Sequence, residues 1–353
     1  MALILLFSLS ASVFATSSLS NKEEAALIGK ISDQLGTVSS NKEAFGLSGV
    51  DFTNLALGNQ FSVYRTTASG LEEVEFKQYP VMENGRIVAV STVRYTENGV
   101  IETDFGVDFA VQLQAYIDET GNTEFALIYD DSAMYAYCAD GSWEIIYLFS
   151  VAVNERLPIE EAFGTARRQA ICTEAVSVKT FLSIPLPSRA SAVLSIPALS
   201  QSGLPICWAA SVASMVNYLK GTSYSAINIA DNAGTGYVGA PIATAASCLR
   251  SYTSSGFTKY NTSIYNNSTM SFSTLKSKIN DGLPIYVHAS QSGGAAHAVV
   301  AIGYSDTGAN YITYTESNTV TIRITSMSSG TFSFTLSGVT YTQSSYFTLV
   351  RYY

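Results

Sequence analysis

Residues 201–219 read Gln201-Ser-Gly-Leu-Pro-Ile-Cys207-Trp208-Ala-Ala-Ser-Val-Ala-Ser-Met-Val-Asn-Tyr-Leu219. From Trp208 onward the apolar residues at 208, 212, 215, 216 and 219 fall on one face of an alanine-rich helix, with Gly203 and Pro205 just ahead of it. Cys207 therefore stands at or just before the first helical turn. There the unpaired N–H groups and the positive end of the helix dipole favour a thiolate over a thiol. A backbone N–H at the same place can donate to an oxyanion.

A nucleophilic thiolate needs an imidazole partner. The chain offers two histidines, both downstream of Cys207. His297 lies in Gly293-Gly-Ala-Ala-His297-Ala-Val-Val-Ala-Ile-Gly303-Tyr304, a glycine-rich approach to a buried, β-rich run. His288 ends the preceding strand candidate. A single histidine in a strand is more often structural than catalytic, so neither carries weight alone. A cysteine at a helix start and a histidine at the mouth of a buried strand are together the two halves of one device.

The neighbouring segments extend this picture into an α+β fold. Leu275 to Val287 reads as a short helix closed by Asp281-Gly282 and followed by a strand beginning at Pro284. Asn310 to Asn318 is the strand after the one bearing His297. Thr319 to Tyr353 alternates Thr, Ser, Ile and Phe as antiparallel strands do, which completes the sheet.

Gln201, Cys207-Trp208-Ala and, some 90 residues on, His297-Ala-Val-Val with Gly303-Tyr304 resemble the papain-like cysteine peptidases. The similarity is to their secreted bacterial branches, the bacteriocin-leader-processing peptidases and the staphopain and streptopain group, and it covers roughly 196–353. It implies a helix bearing the cysteine packed on an antiparallel sheet bearing the histidine. It also implies an endopeptidase acting on peptide or protein substrates without a cofactor. Cys207 is then the nucleophile, His297 the general base that later protonates the leaving amine, and Gln201 a side-chain donor to the oxyanion hole. Such enzymes place an Asn or Asp at the end of the next strand to orient the imidazole. Glu316 aligns there and Asn318 shares its strand parity; Glu316 is favoured. The same Cys–His pair also serves acyltransferases and amidases, of the transglutaminase or cell-wall-hydrolase kind, and a peptidase scaffold can persist as a non-catalytic surface protein.

The 353 residues are too many for one ordinary core, and two globular halves are expected. Residues 1–15 are apolar and end in Val13-Phe14-Ala15, which reads as a signal peptide and predicts secretion, although no Lys or Arg precedes Lys22. Residues 16–185 form the first half. Lys22 to Leu35 has helical spacing, and strand candidates follow at 61–67, 73–79, 86–95, 100–105, 124–129 and 134–138. Residues 109–117 fit a strand or a helical turn, and a charged helix is expected over 158–170. Residues 186–195, rich in Ser and Ala among prolines, are read as a flexible linker. A helix with β-hairpins ahead of a catalytic domain resembles a cystatin-like propeptide, which implies a zymogen inhibited by its own N-terminal half and cleaved within 188–195, after Arg189 for instance. A permanent adhesion or substrate-binding domain is the alternative.

Charge is unevenly placed. Twelve basic and 24 acidic residues lie up to Ala190, against seven and four beyond it, or −12 and +3. The acidic half is unsuited to nucleic acid, and the asymmetry permits an electrostatic contact between halves. No later apolar run reaches the roughly 18 residues that span a bilayer, so the mature chain is expected in solution, as a monomer. Four cysteines, at 138, 172, 207 and 248, show no metal-ligand spacing, and neither a zinc site nor a disulfide framework is expected.

Overall fold

A computed structural model describes residues 21–352 except 68–69, 96–100, 130–132, 139–141, 149–172, 175–177, 183–190, 293, 307–308, 329 and 337–338. The expected signal peptide, the helix over 158–170, Cys172 and Arg189 lie outside the described residues. The fold is α+β, as the pattern of elements implies.

The first half opens with α1 (Asn21–Ser39). Then come β1 (Leu55–Gly58), β2 (Val63–Thr67), β3 (Gly70–Glu73), β4 (Phe76–Glu83), β5 (Arg86–Tyr95) and β6 (Ile101–Gly106). Helix α2 (Asp108–Thr120) resolves the ambiguous 109–117 stretch in favour of a helix, ended by Gly121 at φ 68°. Strands β7 (Glu124–Tyr129), β8 (Ala133–Cys138), β9 (Trp143–Leu148), β10 (Thr173–Glu174) and β11 (Val178–Phe181) follow. They form two sheets, one ordered β3-β2-β7-β8-β9, the other beginning β11-β1-β4-β5-β6.

The second half contains β12 (Ser191–Val193), α3 (Cys207–Lys220), α4 (Ala226–Ala233), α5 (Ile242–Thr253), β13 (Lys259–Tyr265) and α6 (Phe272–Asn280). It ends with β14 (Ile285–Ser290), β15 (Ala296–Ser305), β16 (Tyr311–Glu316), β17 (Thr321–Ser328), β18 (Thr331–Leu336) and β19 (Val339–Tyr352). Strands β14 to β19 pair antiparallel in sequence order, and β19 returns to β14, closing a barrel. Residues of β15 alternate between two cores. Val299 and Ala301 join Tyr314, Phe332 and Phe334, while Ala298, Val300 and Ile302 meet α3 through Trp208, Val212 and Met215. The apolar face read from the sequence is thus the face that seats α3 on the barrel.

Two expectations need correction. Residues 191–193 of the supposed linker form β12, which pairs with Ser305, Tyr304 and Gly303 of β15. A Cβ on Gly303 would lie 2.7 Å from the Ala192 carbonyl oxygen and 2.8 Å from Val193 Cγ2, so only glycine admits β12 at this distance. A serine-rich, proline-flanked segment looks flexible in isolation, but the open edge of β15 supplies its missing hydrogen-bond partners.

The halves are also not separately closed. Strand β6 pairs with β17 through Phe105 and Ile324 and through Asp104 and Thr325, so one sheet crosses the boundary. On one face of that junction Leu27, Ile31 and Leu35 of α1 share a core with Phe105, Tyr311 and Ile324. Gln34 Nε2 donates to the Ile324 carbonyl at 2.8 Å, and Thr37 Oγ1 donates to Ser305 Oγ at 2.8 Å. Thr103 N–H donates to Ser326 Oγ at 3.0 Å.

Candidate active site

Helix α3 begins at Cys207, preceded by Ile206. The Ile206 carbonyl accepts from Ala209 and Ala210, at 2.9 and 3.1 Å, and these are the first backbone bonds of the helix. The N–H groups of Cys207 and Trp208 come before any helical acceptor and face the start of the helix. Behind them Trp208 is buried, its indole N–H donating to the Val238 carbonyl at 2.9 Å, which anchors the first turn.

His297 sits on β15 and Glu316 at the end of β16, both buried. Nε2 of His297 lies 3.0 and 3.1 Å from the two carboxylate oxygens of Glu316. With Nε2 so occupied, Nδ1 is left for the Cys207 sulfur, which is in hydrogen-bonding reach of the ring and also meets the Ala298 N–H. Phe334 and Tyr341 pack against the imidazole, with ring centroids 6.1 and 5.7 Å away. Asn318, the other candidate for orienting the imidazole, lies in the turn after β16; its backbone N–H donates to Glu316 Oε1 at 2.7 Å. Within this geometry it is Glu316 that touches His297.

Burial opposes charge on all three groups, yet their mutual attraction outweighs it. Burial pulls the His297 ring toward neutrality, but the Glu316 carboxylate and the Cys207 sulfur raise it to about 10. For Cys207, burial works against ionisation, and the His297 charge with the Ala298 N–H brings the thiol below its ordinary value. Glu316 follows the same rule: burial is overcome by His297, the Asn318 N–H and Arg323, and its carboxyl is held low. The shifts of all three groups thus run toward their charged forms, the thiol and carboxyl downward and the imidazolium upward. Cys248 makes the contrast, since burial alone pushes its thiol up to about 11.

Gln201 lies in a loop that folds back on the end of β16, turning through Ser202 at φ 57° and Gly203 at φ 70°. Its backbone N–H donates to the Ser317 carbonyl at 3.3 Å, and its Oε1 accepts from Ser317 Oγ at 3.0 Å. With the carbonyl end of the amide held, Nε2 is the end left to donate. His288, the second histidine, is half-buried with Nδ1 3.2 Å from Ser344 Oγ, and burial, then the charge on His297, lowers its affinity for a proton.

Beside Cys207 and His297 opens a cavity of about 300 Å³, also lined among the described residues by Trp208, Gly239, Ala240, Pro241, Tyr286, His288, Ala296 and Ala298. Sequence reasoning missed Tyr286, whose buried hydroxyl has no hydrogen-bond partner among the described residues. It missed Ser317 as well, and the buried pair Asp104–Arg323 beyond Glu316, with Arg323 Nη2 2.8 Å from Asp104 Oδ2. Only the neighbourhood of Tyr286 and His288 in one strand hinted at a shared cavity. Among the described residues no cluster of His, Cys, Asp and Glu could hold a metal ion.

A helix-borne cysteine facing a strand-borne histidine is the constellation of a cysteine-type peptidase, a hydrolase, and the match to a family model supports a papain-like cysteine peptidase domain in the second half of the chain. In particular, residues 193–329 match the model of the Peptidase_C39 like family, a span of less than half the chain that runs from the last residue of β12 to just past β17. No curated protein matches the chain.

Proposed function

We propose that the chain is a cysteine endopeptidase in which Cys207 is the nucleophile, His297 the acid–base group, Glu316 its orienting carboxylate and Gln201 an oxyanion donor. The observation that carries this reading is the continuous line from the Cys207 sulfur through the His297 ring to the Glu316 carboxylate. The sulfur attacks the scissile carbonyl carbon, and the developing oxyanion is met by the Cys207 N–H and the Gln201 amide. The imidazolium proton passes to the leaving amine as the C–N bond breaks. The neutral ring then takes a proton from water, whose oxygen displaces the thiolate from the acyl group.

Export of the chain, and processing after Arg189, belong to the same proposal. A cut there falls ahead of β12 and spares its pairing with β15. Separating residues 16–185 then raises activity where that half is an inhibitor and lowers it where that half is a working part.

The test is digestion of a mixed peptide library, read by mass spectrometry, with the full chain and with Cys207→Ala. Cleavage by the first and none by the second is expected. Equal cleavage by both overturns the assignment. Transfer of the acyl group to an added amine with no hydrolysis products overturns the peptidase reading in favour of an acyltransferase.

A further inference from the structure

The Glu316 carboxylate does not end the buried chain of charge. Arg323 on β17 stands directly across from Tyr314 on β16, two residues from Glu316 on the same face of the sheet. Its guanidinium is buried, and its charge reaches Glu316. A lone cation there would compete with His297 for the carboxylate and repel the imidazolium. What meets it is Asp104, which comes from β6 in the other half of the molecule. Arg323 Nη2 donates to Asp104 Oδ2 at 2.8 Å, and the Tyr314 hydroxyl donates to Asp104 Oδ1 at 3.1 Å. Asp104 is itself buried and held in place by the β6–β17 pairing. Among the described residues this is the ion pair that joins the halves.

We propose that the N-terminal half is a working part of the peptidase: Asp104 is a positioning residue that engages Arg323, so that Glu316 serves His297 rather than Arg323. The inference rests on the Cys207–His297–Glu316 assignment and extends it across the domain boundary, into residues outside the 193–329 family match. It runs against a cystatin-like half that is discarded to give the active form, because a catalytic half stripped of β6 would keep Arg323 beside Glu316 and lose the Asp104 carboxylate that pairs with it. Among the described residues the other charged and titratable groups facing the His297–Glu316 pair are Cys207 on α3, His288 on β14, Tyr314 on β16 and Tyr341 on β19.

Two histidines in the whole chain make the test direct. Full-length protein carrying ¹³C-labelled histidine is titrated by NMR as wild type, Asp104→Asn, Arg323→Gln and the double variant, with kcat and KM measured across pH for each. In Asp104→Asn the His297 resonance is expected to titrate with roughly tenfold weaker proton affinity or less, as an uncancelled neighbouring charge dictates. The alkaline limb of its kcat profile is expected to move down by about one pH unit with KM little changed, so that the loss approaches tenfold only above that limb. Arg323→Gln should not weaken proton binding at His297, and the double variant should restore it. The inference is overturned if Asp104→Asn leaves the His297 titration unchanged, or if Arg323→Gln weakens it equally. Should Asp104→Asn fail to fold, the double variant decides: a His297 titration weaker than wild type overturns the inference, and one equal to it supports it. The NMR readout needs no substrate, so a failure of the peptidase reading shows separately, as absent cleavage with the histidine titrations intact.

Discussion

Replacing Glu316 by glutamine keeps the shape of a buried side chain and removes one charge next to His297. The carboxylate oxygens lie 3.0 and 3.1 Å from Nε2. With charge centres about 4 Å apart and an effective dielectric of about 20, the attraction is roughly 4 kcal/mol, or about a thousandfold in proton affinity. Burial, which already opposes the ring's charge, is then unopposed on that side. The proton held up to about 10 in the native protein is therefore expected to leave His297 near or below neutral pH. Two measurements follow this: the pH dependence of kcat/KM and the rate of Cys207 alkylation by iodoacetamide. In Glu316→Gln the alkaline limb of kcat/KM should fall by two to three pH units, an order-of-magnitude figure from the same Coulomb argument. At pH 8 the activity should fall about two- to tenfold from this titration alone, while Glu316→Asp keeps the charge and part of the activity. An alkaline limb that stays near its native position in Glu316→Gln refutes the claim that this carboxylate sustains the ion pair.

Stability should follow the same groups. Because the folded protein raises His297 above its unfolded value, its contribution is full below about 6.5 and is lost as pH rises toward about 10. Glu316, held low, contributes above its ordinary value and loses that contribution as pH falls. Melting curves across pH 6 to 10 should thus slope downward in the native chain, about flat for this term in Glu316→Gln. A Cys-directed epoxide at neutral pH should label Cys207 and spare Cys248, whose thiol burial holds at about 11; mass spectrometry of the digest reads the site, and exclusive labelling of Cys248 would count against the assignment. Gln201→Ala should lower kcat about 10²- to 10³-fold with KM little moved, the size of losing one oxyanion donor. Gly303→Ala should destabilise the fold by about 1–3 kcal/mol, seen as a lower Tm, since the new methyl meets Ala192 and Val193.

The site was legible to the degree that it is written in local pattern. Cys207 at a helix start follows from periodicity and a preceding Gly and Pro, and the helix does begin at that residue. The strand bearing His297 and the one ending in Glu316 follow from β-rich runs with turn residues between them, and they occupy β15 and β16. The stretch 109–117 could not be resolved because Phe, Ala, Val and Leu with two glutamines fit both periods; packing against β5 within one core settles it as a helix. Asp104 was invisible for a different reason. In Glu-Thr-Asp-Phe-Gly it reads as a polar position on a surface strand. Its burial depends on a partner strand some 220 residues away, and its value depends on an arginine in that strand.

From the chain alone came the chemical types and the local frames: a thiol at the head of a helix, an imidazole and a carboxylate on neighbouring strands. Tertiary structure decided how they combine. The register of β15 against β16 brings His297 to Glu316, and packing of α3 on the outer face of β15 delivers the sulfur. The pairing of β6 with β17 makes one sheet of two apparent domains and carries an acidic side chain from the first into the interior of the second. Short-range pattern reflects periodicity and capping within a few residues. Charge compensation in a buried site depends on distance through space, which appears only when the chain has closed upon itself.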